Sequence, residues 1–273
     1  MRKKPFNLYW AERGHNFGDV LSPILVSHLS RGTPVWSKPH AADLVALGSL
    51  LQKVVSKRTR RIMSGRFSPI HIWGSGFIEN GPQYGTHLLE VHAVRGTASR
   101  HRFGYENSTI AMGDPGFLCR ELLPREKRSR KGVLVCPHIA DTNSPWIRGL
   151  IEKLEGEGTL SDLTADYNTV IDEIVSADLV ISSAMHPLII AMSYGIPCLM
   201  ISPEASIING GDYKFEDCFS LTGRPGELSR KALVSGNITL SKIKELASKE
   251  CDRSTIIDTI NEGLINSFRN TGL

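Results

Sequence analysis

Two arginines, two histidines and one aspartate stand where side chains could do chemistry. Arg95 and Arg100 lie five residues apart in VRGTASR, across an expected strand-to-helix turn. Guanidinium forks match carboxylate and phosphate oxygens bidentately, so the pair reads as an anion site, with a surface ion pair as the competing reading. His186 follows the uncharged run DLVISS and precedes Pro187, a residue favoured in the first turn of a helix. An imidazole at such a strand end, beside Ser182 and Ser183, can exchange protons near neutral pH. His138 in PHIAD has the same kind of setting. Asp19 in NFGD reads equally as a working carboxylate or as a helix N-terminal charge. The other seven histidines, including His28, His71 and His92, have no such setting and read as structural.

Elements that would hold these residues alternate along the chain. Strand candidates are FNLYW (6–10), DLVALG (43–48), IHIWGSG (70–76), LLEVHAVRG (88–96) and TIAMGD (109–114). After residue 131 come GVLVCPH (132–138), GTLSDL (158–163), DLVISS (178–183) and CLMIS (198–202). Helical patterns fall at Phe17–Leu29 and near 145–155, 167–176 and 187–194, and beyond Arg224 the chain reads as helical. Strands spaced by helices imply βαβ units and parallel sheets. The expected division is a first Rossmann-like half at 1–124, a basic linker REKRSRK at 125–131, and a second half with C-terminal helices at 132–273.

Ligands of parallel sheets gather at the carboxyl ends of strands. The residues there are Asn16, Gly18 and Asp19; Gly48 and Ser49; Gly74, Ser75 and Gly76; Arg95; Asp114; His138 and Asp141; and Ser183 with His186. Gly74 and Gly76 read equally as turn residues, because GSG lacks the full dinucleotide spacing.

Composition narrows the class. The 273 residues carry a net charge of +4, which hides an asymmetry. Residues 1–131 hold 21 Lys and Arg against 9 Asp and Glu, and residues 132–273 hold 11 against 19. A basic first half suits an anionic partner: a phosphorylated substrate, a membrane surface or nucleic acid. Nucleic acid is not expected, since KVVSKRTRR (53–61) and REKRSRK lack interleaved aromatics. Cys119, Cys136, Cys198, Cys218 and Cys251 show no paired spacing, so they read as buried thiols of a cytoplasmic protein, with no metal site expected. MRKK is not followed by a secretory apolar region. The uncharged run 179–201 contains two Pro, a Gly and a His, and reads as strand, helix and strand rather than a membrane span.

The stretches NFGDVLSP, ALGSLL, WGSGF, VRGTASR, GDPGFL, PHIAD, SSAMHPLIIAMSYGIP and YKFEDCFS run in order across residues 16–220 and together resemble the polysaccharide pyruvyltransferase family. The resemblance implies a GT-B-like α/β fold, with two Rossmann-type parallel-sheet halves facing a cleft. It also implies transfer of the enolpyruvyl unit of phosphoenolpyruvate onto sugar hydroxyls as a pyruvate ketal. On that reading Arg95, Arg100, Ser183 and Lys214 bind the donor, while His186 moves a proton and Asp19 or His138 positions or deprotonates the acceptor. Phosphoenolpyruvate is then a substrate, no cofactor is needed, and the acceptor is a glycan or lipid-linked oligosaccharide met at the inner face of the membrane. The competing functions are a GT-B nucleotide-sugar glycosyltransferase and a non-catalytic membrane- or nucleic-acid-docking module.

Overall fold

Short apolar runs of the chain pair side by side into two parallel sheets. The structure, a computed structural model, describes residues 4–11, 16–126, 132–204, 208–250 and 252–273. The first sheet contains β1 (Pro5–Tyr9), β2 (Thr33–Trp36), β3 (Leu44–Val45), β4 (Ile70–Ile72) and β5 (Leu89–Val91), in the order β2-β1-β3-β4-β5. Next to it β6 (Ala93–Val94) pairs in parallel with β7 (Ala111–Met112). The bond from Gly74 N to Ala93 O, 2.9 Å, carries the ladder across to β6. The second sheet contains β8 (Val133–Cys136), β9 (Gly158–Leu160), β10 (Leu179–Ser182), β11 (Cys198–Ile201) and β12 (Gly226–Leu228), in the order β12-β11-β10-β8-β9. Every residue of β8, β10 and β11 is buried. That explains their continuous apolar sequences: helices cover both faces, so no polar alternation survives.

The helices are α1 (Phe17–Leu29), α2 (Leu51–Val55), α3 (Arg58–Met63), α4 (Thr97–Arg102), α5 (Cys119–Leu122), α6 (Pro145–Lys153), α7 (Tyr167–Val175), α8 (Met185–Ser193), α9 (Gly211–Cys218), α10 (Arg230–Val234), α11 (Leu240–Ser248) and α12 (Ser254–Arg269). The uncharged run 179–201 folds as β10, α8 and β11. Among the described residues no helix is long and apolar enough to cross a membrane. Cys119, Cys136, Cys198 and Cys218 are buried free thiols, and Cys251 lies outside the described residues.

The halves share one core. Phe17, Leu21 and Leu25 of α1, Ile174 of α7, Leu188 and Ile189 of α8 and Leu264 of α12 belong to a single buried cluster. Phe17 N also donates to Leu163 O across the junction, at 2.9 Å. The last helix departs from the expected division at 125–131. Although α12 follows the second sheet in sequence, it packs on the first half. Trp73 Nε1 donates to Leu264 O at 2.9 Å, and its ring meets Phe268 edge-on at 4.9 Å. Gly113 permits this approach, because a Cβ there would sit 2.3 Å from Ile260. Residues 127–131 of the expected linker lie outside the described residues.

Candidate functional site

The strand ends of both sheets converge on one cavity of about 200 Å³ at the junction of the halves. From the first half it is lined by Asn16 and Asp19 at the start of α1, Gly48, Ser49 and Leu50 after β3, Lys53 of α2, and Ile78. From the second half come His138 after β8, Ala184, Met185, His186 and Pro187 at the start of α8, and Lys214 of α9. Asn16 fixes the start of α1 by accepting from Gly18 N at 3.3 Å, as an N-cap does. On the other side Ser182 Oγ accepts from Ala184 N at 2.9 Å where α8 begins. His186 therefore sits in the first turn of α8 and not before it.

The imidazole of His186 lies against the backbone of Gly18: a Cβ at that glycine would stand 1.8 Å from Nδ1. Its Nε2 is buried and has no hydrogen-bond partner among the described residues. Burial, followed by the positive charges of Lys214 and Arg95 and by His138, pushes its pKa down to about 3. The ring is therefore neutral at physiological pH, with an open nitrogen.

Burial also tunes the other groups. Burial raises the Asp19 pKa to about 6, against the opposing pull of Lys53 and Lys214. Lys214 is lowered to about 8, first by burial and then by Arg95. Burial and Lys214 also lower His138. His138 Nδ1 accepts from Ala140 N at 3.1 Å, so the neutral ring carries its proton on Nε2. One carboxyl group, two imidazoles and two lysines thus share one small chamber.

Several expected site residues stand behind this chamber. Arg95 is fully buried: Nε donates to Asp217 at 3.0 Å, Nη2 to Phe77 O at 2.7 Å, and Nη1 to Ser49 Oγ. Three of its five N–H groups are engaged by the protein, and the fully buried guanidinium does not line the cavity. It anchors the serine that does line the cavity. Asp217 in turn accepts from Ser99 N at 2.8 Å and Ser99 Oγ at 2.6 Å. Arg100 is half-buried on α4 and does not line the cavity.

Ser183 accepts from His138 N at 2.9 Å and so fixes the turn that carries that histidine. Asp141 is buried in a two-pronged pair with Arg230, at 2.6 and 2.8 Å. Asp114 caps the short turn Pro115–Leu118 through Gly116 N at 2.9 Å, and burial raises its pKa to about 6. Gly74 packs on Pro115, Gly76 on the Arg95 guanidinium, and Ser75 Oγ donates to Gly48 O at 2.8 Å.

Lys53 lines the cavity although it is not among the residues expected at the strand ends, since it lies in the basic tract 53–61. The available signal was its place in the first turn of the helix after Gly48-Ser49. Asp217 lay in plain view in YKFEDCFS, but its partner is 122 residues away.

The sheets, their order and the cleft between them define a GT-B-like α/β protein. The structure resembles that of a protein from Listeria monocytogenes described as a UDP-N-acetylglucosamine 2-epimerase, with a TM-score of 0.55 and 11% identity, covering 99% of this chain and 98% of the other. The glycotransferase of kitacinnamycin gives a TM-score of 0.54 at 10% identity, with 99% and 98% covered. Among curated sequences, an uncharacterized protein, L143, of Acanthamoeba polyphaga mimivirus is 24% identical over 201 residues, 70% of this chain and 69% of that protein. The sequence model of the polysaccharide pyruvyl transferase family matches residues 29–204, and the chain belongs to that family. It is a glycan-modifying transferase.

Proposed function

We propose that the protein transfers the enolpyruvyl unit of phosphoenolpyruvate to two hydroxyls of a glycan, forming a pyruvate ketal and releasing phosphate. The observation that carries this reading is the meeting of Lys53, Lys214, His138, His186 and Asp19 around one cavity. The donor brings a carboxylate and a phosphate of roughly −1.5 to −2 charge near neutral pH, which calls for two fixed cations. Lys53 and Lys214 answer that need. The cavity is smaller than the roughly 300–1,000 Å³ typical of drug-sized ligands, which favours a three-carbon phosphate over a nucleotide sugar.

In the proposed reaction a proton adds to the donor methylene carbon while one sugar hydroxyl adds to the neighbouring carbon and gives up its proton. The bond from that carbon to the phosphate oxygen then breaks, and the second hydroxyl closes the ketal as its proton leaves. Of the two hydroxyl protons, one is balanced by the new methyl hydrogen and the other leaves with phosphate. Asp19, with a pKa near 6, carries a proton part of the time and supplies the acid. Neutral His186 accepts a hydroxyl proton through Nε2, and His138 donates from Nε2 to an oxygen of donor or acceptor. Every step moves a proton or a phosphate, so the scheme uses no redox carrier or metal.

The acceptor is proposed to be lipid-linked and met at the inner face of the membrane. In support, α3 and the turn after it expose Ile62 at 40%, Met63 at 82% and Phe67 at 69%. Around them stand Lys57, Arg58, Arg60 and Arg66, with no acidic residue between Asp43 and Glu79. Apolar tips set in a basic surface suit an anionic bilayer, and the neighbouring α2 carries Lys53 into the cavity.

Purified protein mixed with phosphoenolpyruvate and a panel of glycosides is expected to release phosphate and add one ketal mass to an acceptor, and His186→Ala is expected to abolish both. Stabilisation by UDP- or GDP-sugars but not by phosphoenolpyruvate would favour the glycosyltransferase reading instead. Vesicles containing anionic lipid are expected to sediment the wild type and to lose Met63→Ser/Phe67→Ser. Binding to nucleic acid with no vesicle binding would overturn the membrane assignment.

A further inference from the structure

We propose that His71, Glu90 and His92 form a binding site for a divalent transition metal of the zinc class, outside the catalytic cavity. Sheet register builds the cluster. His71 of β4 is paired with Glu90 of β5, and Glu90 and His92 are two apart, so all three side chains leave the same face. Their ligand atoms lie within 4.8 Å of one another. His71 Nδ1 is 2.8 Å from His92 Nε2 and 3.6 Å from Glu90 Oε2, and His92 Nε2 is 3.8 Å from Glu90 Oε1.

Those separations suit an ion. Zinc bound at roughly 2.0–2.2 Å in a tetrahedron separates its ligand atoms by about 3.3–3.5 Å. The observed edges bracket that value, so shifts of a few tenths of an ångström would seat a cation in place of the hydrogen bond now joining the imidazoles. Two imidazoles and one carboxylate favour zinc and its neighbours over magnesium or calcium, which prefer oxygen ligands. Three protein ligands leave a fourth position for water. His92 borders a groove of about 690 Å³, shared with Tyr105, Ser108 and Asn266, from which water can reach the ion.

An ion here would tie β4 to β5 just where the chain breaks from β5 into β6. None of the three residues lines the catalytic cavity, so the site stands or falls independently of the pyruvyl-transfer reading.

The test uses the full chain, stripped with chelator and titrated calorimetrically with ZnCl2. One ion per chain is expected, with a rise in melting temperature that MgCl2 does not give. Glu90→Gln is the safest variant, because Glu90 is half exposed and its loss leaves the fold intact; at least tenfold weaker zinc binding is expected. His71→Ala and His92→Ala should abolish binding. Cobalt(II) should give the visible bands of a tetrahedral nitrogen and oxygen site. Absence of binding, equal affinity in Glu90→Gln and wild type, or an intense near-ultraviolet sulfur-to-cobalt band would each overturn the proposal.

Discussion

His186 and Asp19 are shifted in opposite senses, and each sense has its own pH signature. The unfolded chain protonates a histidine near 6.5, whereas folded His186 stays neutral to about 3. Its contribution is therefore present above pH 6.5 and is lost as pH falls from there toward 3. His186→Gln should flatten that acid limb in denaturant titrations between pH 4 and 7. Asp19 does the reverse. Its folded pKa of about 6 stands above the ordinary carboxylate value of 3.8, so stability from its protonated form is greatest below 3.8 and is lost as pH rises through 6. Asp19→Asn is expected to stabilise the protein at pH 7.5, on the order of 2–3 kcal/mol, while lowering turnover. A destabilised Asp19→Asn would contradict this assignment. Gly18 belongs to the same scale: any side chain there would displace the His186 ring, so Gly18→Ala should lower kcat far more than melting temperature. Histidines at strand ends were legible in sequence. His71 and His92 were not, because only the pairing of β4 with β5 makes them neighbours.

Between elements, the two sequence stretches VRGTASR and YKFEDCFS form one latch. Arg95 follows β6 and Asp217 lies on α9, both side chains have no solvent exposure, and their 3.0 Å pair crosses between the halves. Gly96 allows the closeness, since a Cβ there would lie 1.7 Å from Asp217 O. Asp217→Asn or Arg95→Ala leaves a buried charge unmatched, for which about 3–5 kcal/mol of destabilisation is expected by chemical denaturation. A variant with wild-type stability and weakened donor binding would restore the direct anion-site reading of Arg95. Sequence periodicity located the strands that helices bury on both faces, and α1 in full. It missed β2 and β12, each at an edge of its sheet. Edge strands are short and partly exposed, β2 includes Pro34, and β12 is only Gly-Glu-Leu.

Taken whole, the molecule is less divisible than its charge. The basic excess of residues 1–131 gathers partly at α2 and α3, where Lys53 faces the cavity while Met63 and Phe67 face outward. The fold class was legible because two series of strands and helices repeat, but the shared core and the return of α12 depend on contacts that no local pattern carries. Residues 1–124 produced alone should be insoluble, because Trp73 and the surroundings of Gly113 would be uncovered. Co-production with residues 125–273 should rescue solubility. A soluble, well-folded 1–124 fragment would show that α12 is dispensable.

The Trp73 to Leu264 bond spans 191 residues, and that span has a consequence during synthesis. On the ribosome Trp73 and the β6–β7 pair emerge long before the helix that covers them, so that apolar surface must wait, exposed, through translation of the whole second sheet. Such long-range closure slows folding and leaves intermediates open to aggregation. This chain should therefore depend on chaperones until α12 has emerged.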